Sequence, residues 1–402
     1  MQYDTRPFSE LIAAQKPGHA LDRRFYVDGS IYALELERIV MHDWILAGHV
    51  SELAEPGDFK VVSVAGESAI VVRGSDGRLK AFANVCRHRG SLVCLEQGGK
   101  TRKFTCPYHG WMYDIDGNLI AARDMPPDFD KSDYGLRNIA VDTVHGLIMV
   151  SFGDAPPSLD GAKRDLAEPM TLFGFENLKV AAYKEYEIAA NWKLAVENYQ
   201  ECYHCATAHP DYAKMHTLTL DERKRQRMQG PMLERLEACG LKDIAVDYWV
   251  DDAKQGEVVY GYWRSALFEG YKTGSRDGAP VAPLLGELTD YDGGASDMVI
   301  GPLSYFLCYS DHVVCYVFTP NDLETSRCDI YWLVRGDAED GKDYDVDELT
   351  WLWDVTTESD KEIIVNNWKG VKSRFYAPGP LSRMESTERS YIEWFLEALQ
   401  RA

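Results

Sequence analysis

The chain has 402 residues, 45% hydrophobic and 27% charged, an ordinary globular profile with room for two domains or one large one. Its formal net charge of −21 repels phosphate backbones and anionic lipid, which argues against nucleic acid and membrane surfaces and favours a cationic partner or substrate. No run of about 18 apolar residues occurs, the opening MQYDTRPFSELIAAQ lacks a basic and an apolar leader region, and the cysteines at 86, 94, 106, 202, 205, 239, 308, 315 and 328 are odd in number and scattered. These features predict a soluble cytoplasmic protein whose thiols, Cys94, Cys202 and Cys205 among them, serve as ligands or small buried residues with no disulfide framework.

Residues 1–40 space Phe8, Leu11 and Ile12, then Ile31, Leu34, Ile39 and Val40, at roughly helical intervals and predict an N-terminal helical segment. From residue 41 to about 155 the texture changes to short β-type runs, FKVVSV, AIVVR, LKAFANV, KFTC and LIMVSF. Asp76-Gly77 and Asp116-Gly117 punctuate them and predict hairpins in a small antiparallel β domain. Within it stand Cys86-Arg87-His88 and Cys106-Pro107-Tyr108-His109, a C-x-H and a C-x-x-H separated by seventeen residues. Two loops that each offer one thiolate and one imidazole can make one four-ligand site. Structural zinc is one reading. A mixed pair in each half suits a [2Fe–2S] cluster in which one iron takes both cysteines and the other both histidines. Gly90 and Gly110 would let backbone approach the sulfurs.

The connection DAPPSLDGAKRDLAEP reads as a boundary, and residues 156–402 have α+β composition. LKVAAYKEYEIAA, VVYGYW, SYFLCYSDHVVCYVF and CDIYWLV predict strands, while GSRDGAP and TDYDGGASD read as loops over a site. The segment NWKLAVENYQECYHCATAHP, residues 191–210, concentrates Glu197, Glu201, His204 and His209 among apolar residues. On a helix Glu201 and His204 share one face. Five residues at about 100° each put His209 roughly 140° from His204, so both rings reach one atom only if the helix ends between them. Pro210 supplies that ending. Two converging imidazoles suit iron, zinc or copper, and a carboxylate as third ligand would indicate non-haem Fe(II). Near the C-terminus, LTWLWDVTTESDKEIIVNNWKGV is amphipathic and carries Asp354, Glu358, Asp360 and Glu362.

CRHRG followed by CPYHGW resembles the Rieske ferredoxin motif, and nearly the whole chain resembles the large (α) subunit of Rieske non-haem iron oxygenases. The resemblance implies a Rieske [2Fe–2S] domain held by Cys86, His88, Cys106 and His109. It also implies a helix-grip catalytic domain with an antiparallel sheet, whose mononuclear Fe(II) is held by His204, His209 and Asp360. Asp360 matches by position the family's carboxylate, within TESDKEIIVNNWKGVKSRFYAPGPLS, and His216 is the competing ligand. A head-to-tail homotrimer is implied as well, with Glu201 linking His204 to His109 of the partner subunit. Glutamate there, where most ring hydroxylators carry aspartate, is similar to the carnitine, glycine betaine and stachydrine oxygenases.

The expected activity is therefore hydroxylation of an N-methyl group of a quaternary ammonium compound with O2, followed by loss of formaldehyde. Tyr199, Tyr203, Trp263, Tyr305 and Phe306 are candidate cation–π partners. With neither a GxGxxG turn nor a plant-type C-x₄-C-x₂-C cluster, the chain needs a separate NAD(P)H-dependent reductase. The alternatives are an aromatic-ring dioxygenase α subunit, a pure Rieske electron carrier with two irons in place of three, and a colourless two-site zinc protein.

Overall fold

The computed structural model describes residues 7–238, 247–250 and 256–401, so Cys239 lies outside the described residues. Ten strands fill the stretch after the N-terminal helices. They are β1 Ile45–His49, β2 Asp58–Val64, β3 Glu67–Arg73, β4 Leu79–Ala83, β5 Gly98–Lys100, β6 Lys103–Thr105, β7 Met112–Asp114, β8 Leu119–Ala121, β9 Asn138–Val144 and β10 Leu147–Ser151. Seven of them form an antiparallel sheet ordered β1-β10-β9-β4-β3-β2-β5, and β6-β7-β8 form a small sheet. The two Asp-Gly pairs turn β3 into β4 and β7 into β8 as expected. Asp116 on the second turn also accepts from Ser75 and Lys80 of the first, tying the small sheet to the large one.

The second half is built on seven antiparallel strands ordered β11-β17-β16-β15-β14-β13-β12. They are β11 Leu178–Ile188, β12 Asp247–Val250, β13 Tyr260–Ala266, β14 Gly294–Ile300, β15 Ser304–Cys308, β16 Val313–Pro320 and β17 Ser326–Arg335. The architecture is α+β, with helices packed on this sheet. One expectation is corrected here: GASD in TDYDGGASD is not loop but the start of β14, buried along its whole length between β13 and β15. Gly and Asp read as turn residues, yet burial against two strands overrides that propensity.

Across this sheet lies the long helix Val346–Val371, capped by the Asp345 carboxylate, which accepts from the amides of Asp347 and Glu348. Its buried stripe of Leu349, Leu352, Trp353, Thr356, Ile364, Trp368 and Val371 follows the period of a half-buried helix. Leu11, Phe25, Ile31 and Val40 of the N-terminal segment enter the same core as Trp192, Trp368 and Phe395. A buried ion pair fastens them. Lys193 Nζ donates to Glu35 Oε2 at 2.7 Å with both side chains fully buried, Trp192 Nε1 donates to the same oxygen, and Tyr26 donates to Glu197 at 2.9 Å. Among the described residues no helix is long and apolar enough to cross a membrane.

Candidate metal centres and substrate cavity

The loops Cys86–Ser91 and Cys106–Trp111 have the same backbone hydrogen bonds. Each cysteine amide donates to the carbonyl five residues on, Ser91 or Trp111, at 2.8 Å, and each loop glycine, Gly90 or Gly110, donates back to its cysteine carbonyl at 3.0 Å. Both glycines have φ in the left-handed region, +78° and +73°, where a side chain would strain the turn. Cys86 and Cys106 are free thiols and buried, whereas His88 is exposed and His109 half-exposed. The two imidazoles approach with centroids 4.6 Å apart, and Trp111 stacks on His88.

Burial pushes the Cys86 thiol up, against the hydrogen bond from Tyr113, and Cys106 beside it raises it further. A buried thiol with a second thiol beside it ionises more readily when a cation lies between the two. With two cysteines inside and two histidines outside, the donor set fits a cluster bearing a different ligand pair on each iron. It does not separate into the cysteine half and histidine half of a zinc finger.

Corrections apply to the second centre. The helix Trp192–Tyr199 stops before Glu201, so Glu201 and His204 do not share a helical face. Instead Glu201 folds back on the chain, its carboxylate accepting from the amides of Tyr203 and His204 and from His204 Nδ1 at 2.6 Å. The one-turn helices Cys205–Ala208 and Pro210–Ala213 follow. His209 stands between them at φ −127°, ψ 73°, the break that Pro210 demands. Cys202 and Cys205 are not separate thiols. The turn around Tyr203 and His204 brings their Cα atoms to 4.9 Å, within bridging reach, and they form a disulfide.

His204, His209 and Asp360 each place one ligand atom within 4.8 Å of the others. Asp360 Oδ1 lies 2.8 Å from His209 Nε2 and 3.4 Å from His204 Nε2. The outward nitrogens are held as well. His209 Nδ1 donates at 2.7 Å to Ser359 Oγ, whose own proton goes to the Val355 and Thr356 carbonyls. Burial opposes charge on His204, but hydrogen bonds to Asp360 and Glu201 prevail and push it up to about 9. Asp360 is held below the usual carboxylate range, because the two histidines outweigh its burial. Two imidazoles and a carboxylate on one side of a point, with cavity on the other, form the donor set of a non-haem Fe(II) site.

His216 is no rival. It is buried and stacked on Tyr212 at 3.8 Å. Nδ1 donates to the Tyr212 carbonyl, Nε2 accepts from Tyr309, and burial pushes its pKa down to about 4. Of the other three acids, Asp354 pairs with Tyr186 and Lys184, Glu358 pairs with Lys361, and Glu362 is exposed.

The triad opens on a cavity of about 470 Å³. Of the aromatic candidates Tyr199 and Trp263 line it, whereas Tyr203 is 57% exposed, Tyr305 is buried with its hydroxyl on the Pro302 carbonyl, and Phe306 lies on the opposite sheet face from the lining residue Leu307. Tyr212, Trp353, Asn198 and Ser359 were missed by sequence reasoning. Trp353 alone carried a signal, about two turns before Asp360 on the same apolar stripe.

Residues 175–401 match the ring hydroxylating alpha subunit (catalytic domain) family, and residues 43–141 the Rieske [2Fe-2S] domain. The chain belongs to the Rieske-type ring-hydroxylating oxygenase family. This Rieske oxygenase is 32% identical over 401 residues to the glycine betaine monooxygenase oxygenase subunit of Pseudomonas aeruginosa, covering 97% of this chain and 91% of that protein. It is 29% identical to the carnitine monooxygenase oxygenase subunit of Acinetobacter pittii, over 88% and 85% of the two chains. The fold is shared with a solved quaternary ammonium Rieske monooxygenase studied for carnitine oxidation and inter-subunit electron transfer, at TM-score 0.74, 24% identity and 98% coverage of both chains. As in that family, the oxygenase carries a Rieske [2Fe–2S] domain and a non-haem iron catalytic domain.

Proposed function

We propose that this oxygenase N-demethylates a small quaternary ammonium compound of the betaine or carnitine type, drawing electrons from a separate reductase in the cytoplasm. The observation that carries the reading is the triad's outlook: its open side faces a cavity walled by Tyr199, Tyr212, Trp263 and Trp353 and by the acid Asp297. Aromatic faces and a carboxylate are what a cation lacking N–H donors can use. The relatives named for glycine betaine and carnitine support the same class.

In this reading Cys86 and Cys106 hold one iron of the cluster and His88 and His109 the other, while His204, His209 and Asp360 hold Fe(II). Iron bound at these sites would supply electron transfer and the activation of dioxygen for C–H hydroxylation. The chain's own groups do the positioning. Glu201 and Ser359 hold the outer nitrogens of His204 and His209, so the inner nitrogens are aimed without further ordering. The aromatic walls keep an N-methyl carbon near the triad and exclude water. Hydroxylation of that carbon gives a hemiaminal; its hydroxyl proton leaves to solvent, the C–N bond breaks with its electron pair going to nitrogen, and formaldehyde and the demethylated amine are released.

The working assembly in this proposal is a head-to-tail homotrimer in which Glu201 meets His109 of the partner subunit. Within each chain, residues 1–40 form a helical segment on the catalytic part, 41–155 the Rieske domain and 156–402 the catalytic domain.

A single turnover tests the reading. The iron-replete protein is reduced, mixed with dioxygen and glycine betaine, carnitine, stachydrine or simple aromatic acids, and formaldehyde is quantified per cluster. Formaldehyde from one ammonium compound is expected. A diol or phenol from an aromatic acid, with none from any betaine, would overturn the substrate class and leave a ring hydroxylase.

A further inference from the structure

Asp297 is the buried acid of the cavity wall. It sits in β14 directly across from Trp263 on β13 and Leu307 on β15. Residues paired in this way project to one sheet face, and all three line the cavity that holds His204, His209 and Asp360. Asp297 is only 7% exposed, yet its Oδ2 has no hydrogen-bond partner.

Two other buried acids are answered by a cation. Asp292 is gripped by Nε and Nη2 of the Arg264 fork, and Glu35 pairs with Lys193. Asp297 instead pays for its burial: desolvation pushes its carboxyl up to about 7, although Arg225, a hydrogen bond from Trp263 and Arg264 all pull it down. Leaving such a group unpaired in a core is costly unless something else completes it.

Arg225 is the second observation. It projects from the helix Glu222–Ala238, which covers the cavity, and it lines that cavity near enough to Asp297 to pull on its charge. One wall therefore carries an acid and the lid above it a base.

We propose that Asp297 and Arg225 form a charge clamp for a zwitterion, with Asp297 facing the ammonium head and Arg225 binding the carboxylate tail. The clamp rests on the quaternary-ammonium reading above and adds the requirement that the substrate carry both charges. A trimethylammonium head offers no hydrogen to an acceptor, so it is held by the field of a carboxylate and by the face of a ring. Asp297 beside Trp263 presents both. The planar fork of an arginine matches a carboxylate.

Three probes separate the parts: glycine betaine with both charges, tert-butylacetate with the same shape but no positive head, and choline with no carboxylate. Dissociation constants are measured by calorimetry on the iron-replete protein without dioxygen, and KM and kcat from formaldehyde release. Wild type should bind glycine betaine roughly 100-fold more tightly than tert-butylacetate. Asp297→Asn should weaken glycine betaine and choline roughly 30-fold while tert-butylacetate holds or improves. Arg225→Gln should weaken glycine betaine and tert-butylacetate about tenfold and spare choline.

Equal losses for all three probes would mark a packing defect and overturn the clamp. So would unchanged betaine binding in both variants, with formaldehyde formation still supporting the substrate class. A wild-type protein that neither binds nor demethylates glycine betaine or carnitine would overturn the class, and the clamp with it. Should Asp297→Asn fail to fold, the wild-type ranking of the probes and the Arg225→Gln pattern decide.

Discussion

Ser359 shows how a residue with no metal-binding chemistry governs a metal site. Its hydroxyl accepts from His209 Nδ1 and passes its own proton to the helix, which leaves the lone pair of His209 Nε2 facing the point it shares with Asp360. Ser359→Ala should lower Fe(II) affinity about 10- to 100-fold without disturbing the cluster's visible spectrum, measured by iron titration against a chelator. His204 makes a different prediction. Metal-free, its pKa of about 9 keeps it doubly protonated at neutral pH, with both nitrogens donating to carboxylates. Loading Fe(II) at pH 7 should therefore release about one proton, seen as a binding enthalpy that varies with the buffer's ionisation enthalpy; the release should disappear above about pH 9. The cysteine-histidine loops and the candidate ligands His204 and His209 were legible in the sequence because their spacing is local chemistry. Asp360 needed the family resemblance to single it out from three neighbouring acids. Ser359 and Asn198 were illegible, since a serine or asparagine beside a histidine is decided by side-chain direction and not by sequence pattern.

The helix Trp192–Tyr199 is the element that connects the N-terminus to the metal centre. Its Lys193 and Glu197 are sealed by Glu35 and Tyr26 from the first helices, contacts across more than 150 residues that no periodicity predicts. Lys193→Met would strand the buried Glu35 carboxylate and should cost about 3–5 kcal/mol of stability in denaturant unfolding. Glu197 adds a pH dependence. Burial pushes its carboxyl from 4.5 up to about 8, with Tyr26 and Lys193 pulling down and Glu35 pushing up. The folded state keeps a proton that the unfolded chain has already released, so stability falls as pH rises through this interval. Glu197→Gln should flatten that decline, and the difference in melting temperature from wild type should grow between about pH 5 and pH 8. Strand β14 shows the limit of local reading most clearly. Its glycine, serine and aspartate favour turns, and only the flanking strands make it extended and turn Asp297 into the cavity. The hairpins at Asp76-Gly77 and Asp116-Gly117 were legible for the opposite reason, because there the turn chemistry and the fold agree.

At the scale of the whole molecule the two centres face different ways. His88 and His109 sit at the open tip of the Rieske loops, whereas the triad looks into an internal cavity. In genetic terms the chain then consists of two separable functions that need not be intact in the same copy. If the proposed head-to-tail assembly holds, a subunit with a ruined cluster, Cys106→Ser, still offers a working cavity, and one with a ruined triad, Asp360→Ala, still offers a working electron donor. Each variant alone should be inactive. Co-expressed in equal amounts, random trimers should recover about a quarter of the wild-type formaldehyde yield, because one junction in four joins a sound donor to a sound acceptor. Two recessive lesions in one gene would complement each other, and a selection for growth on a betaine would detect it.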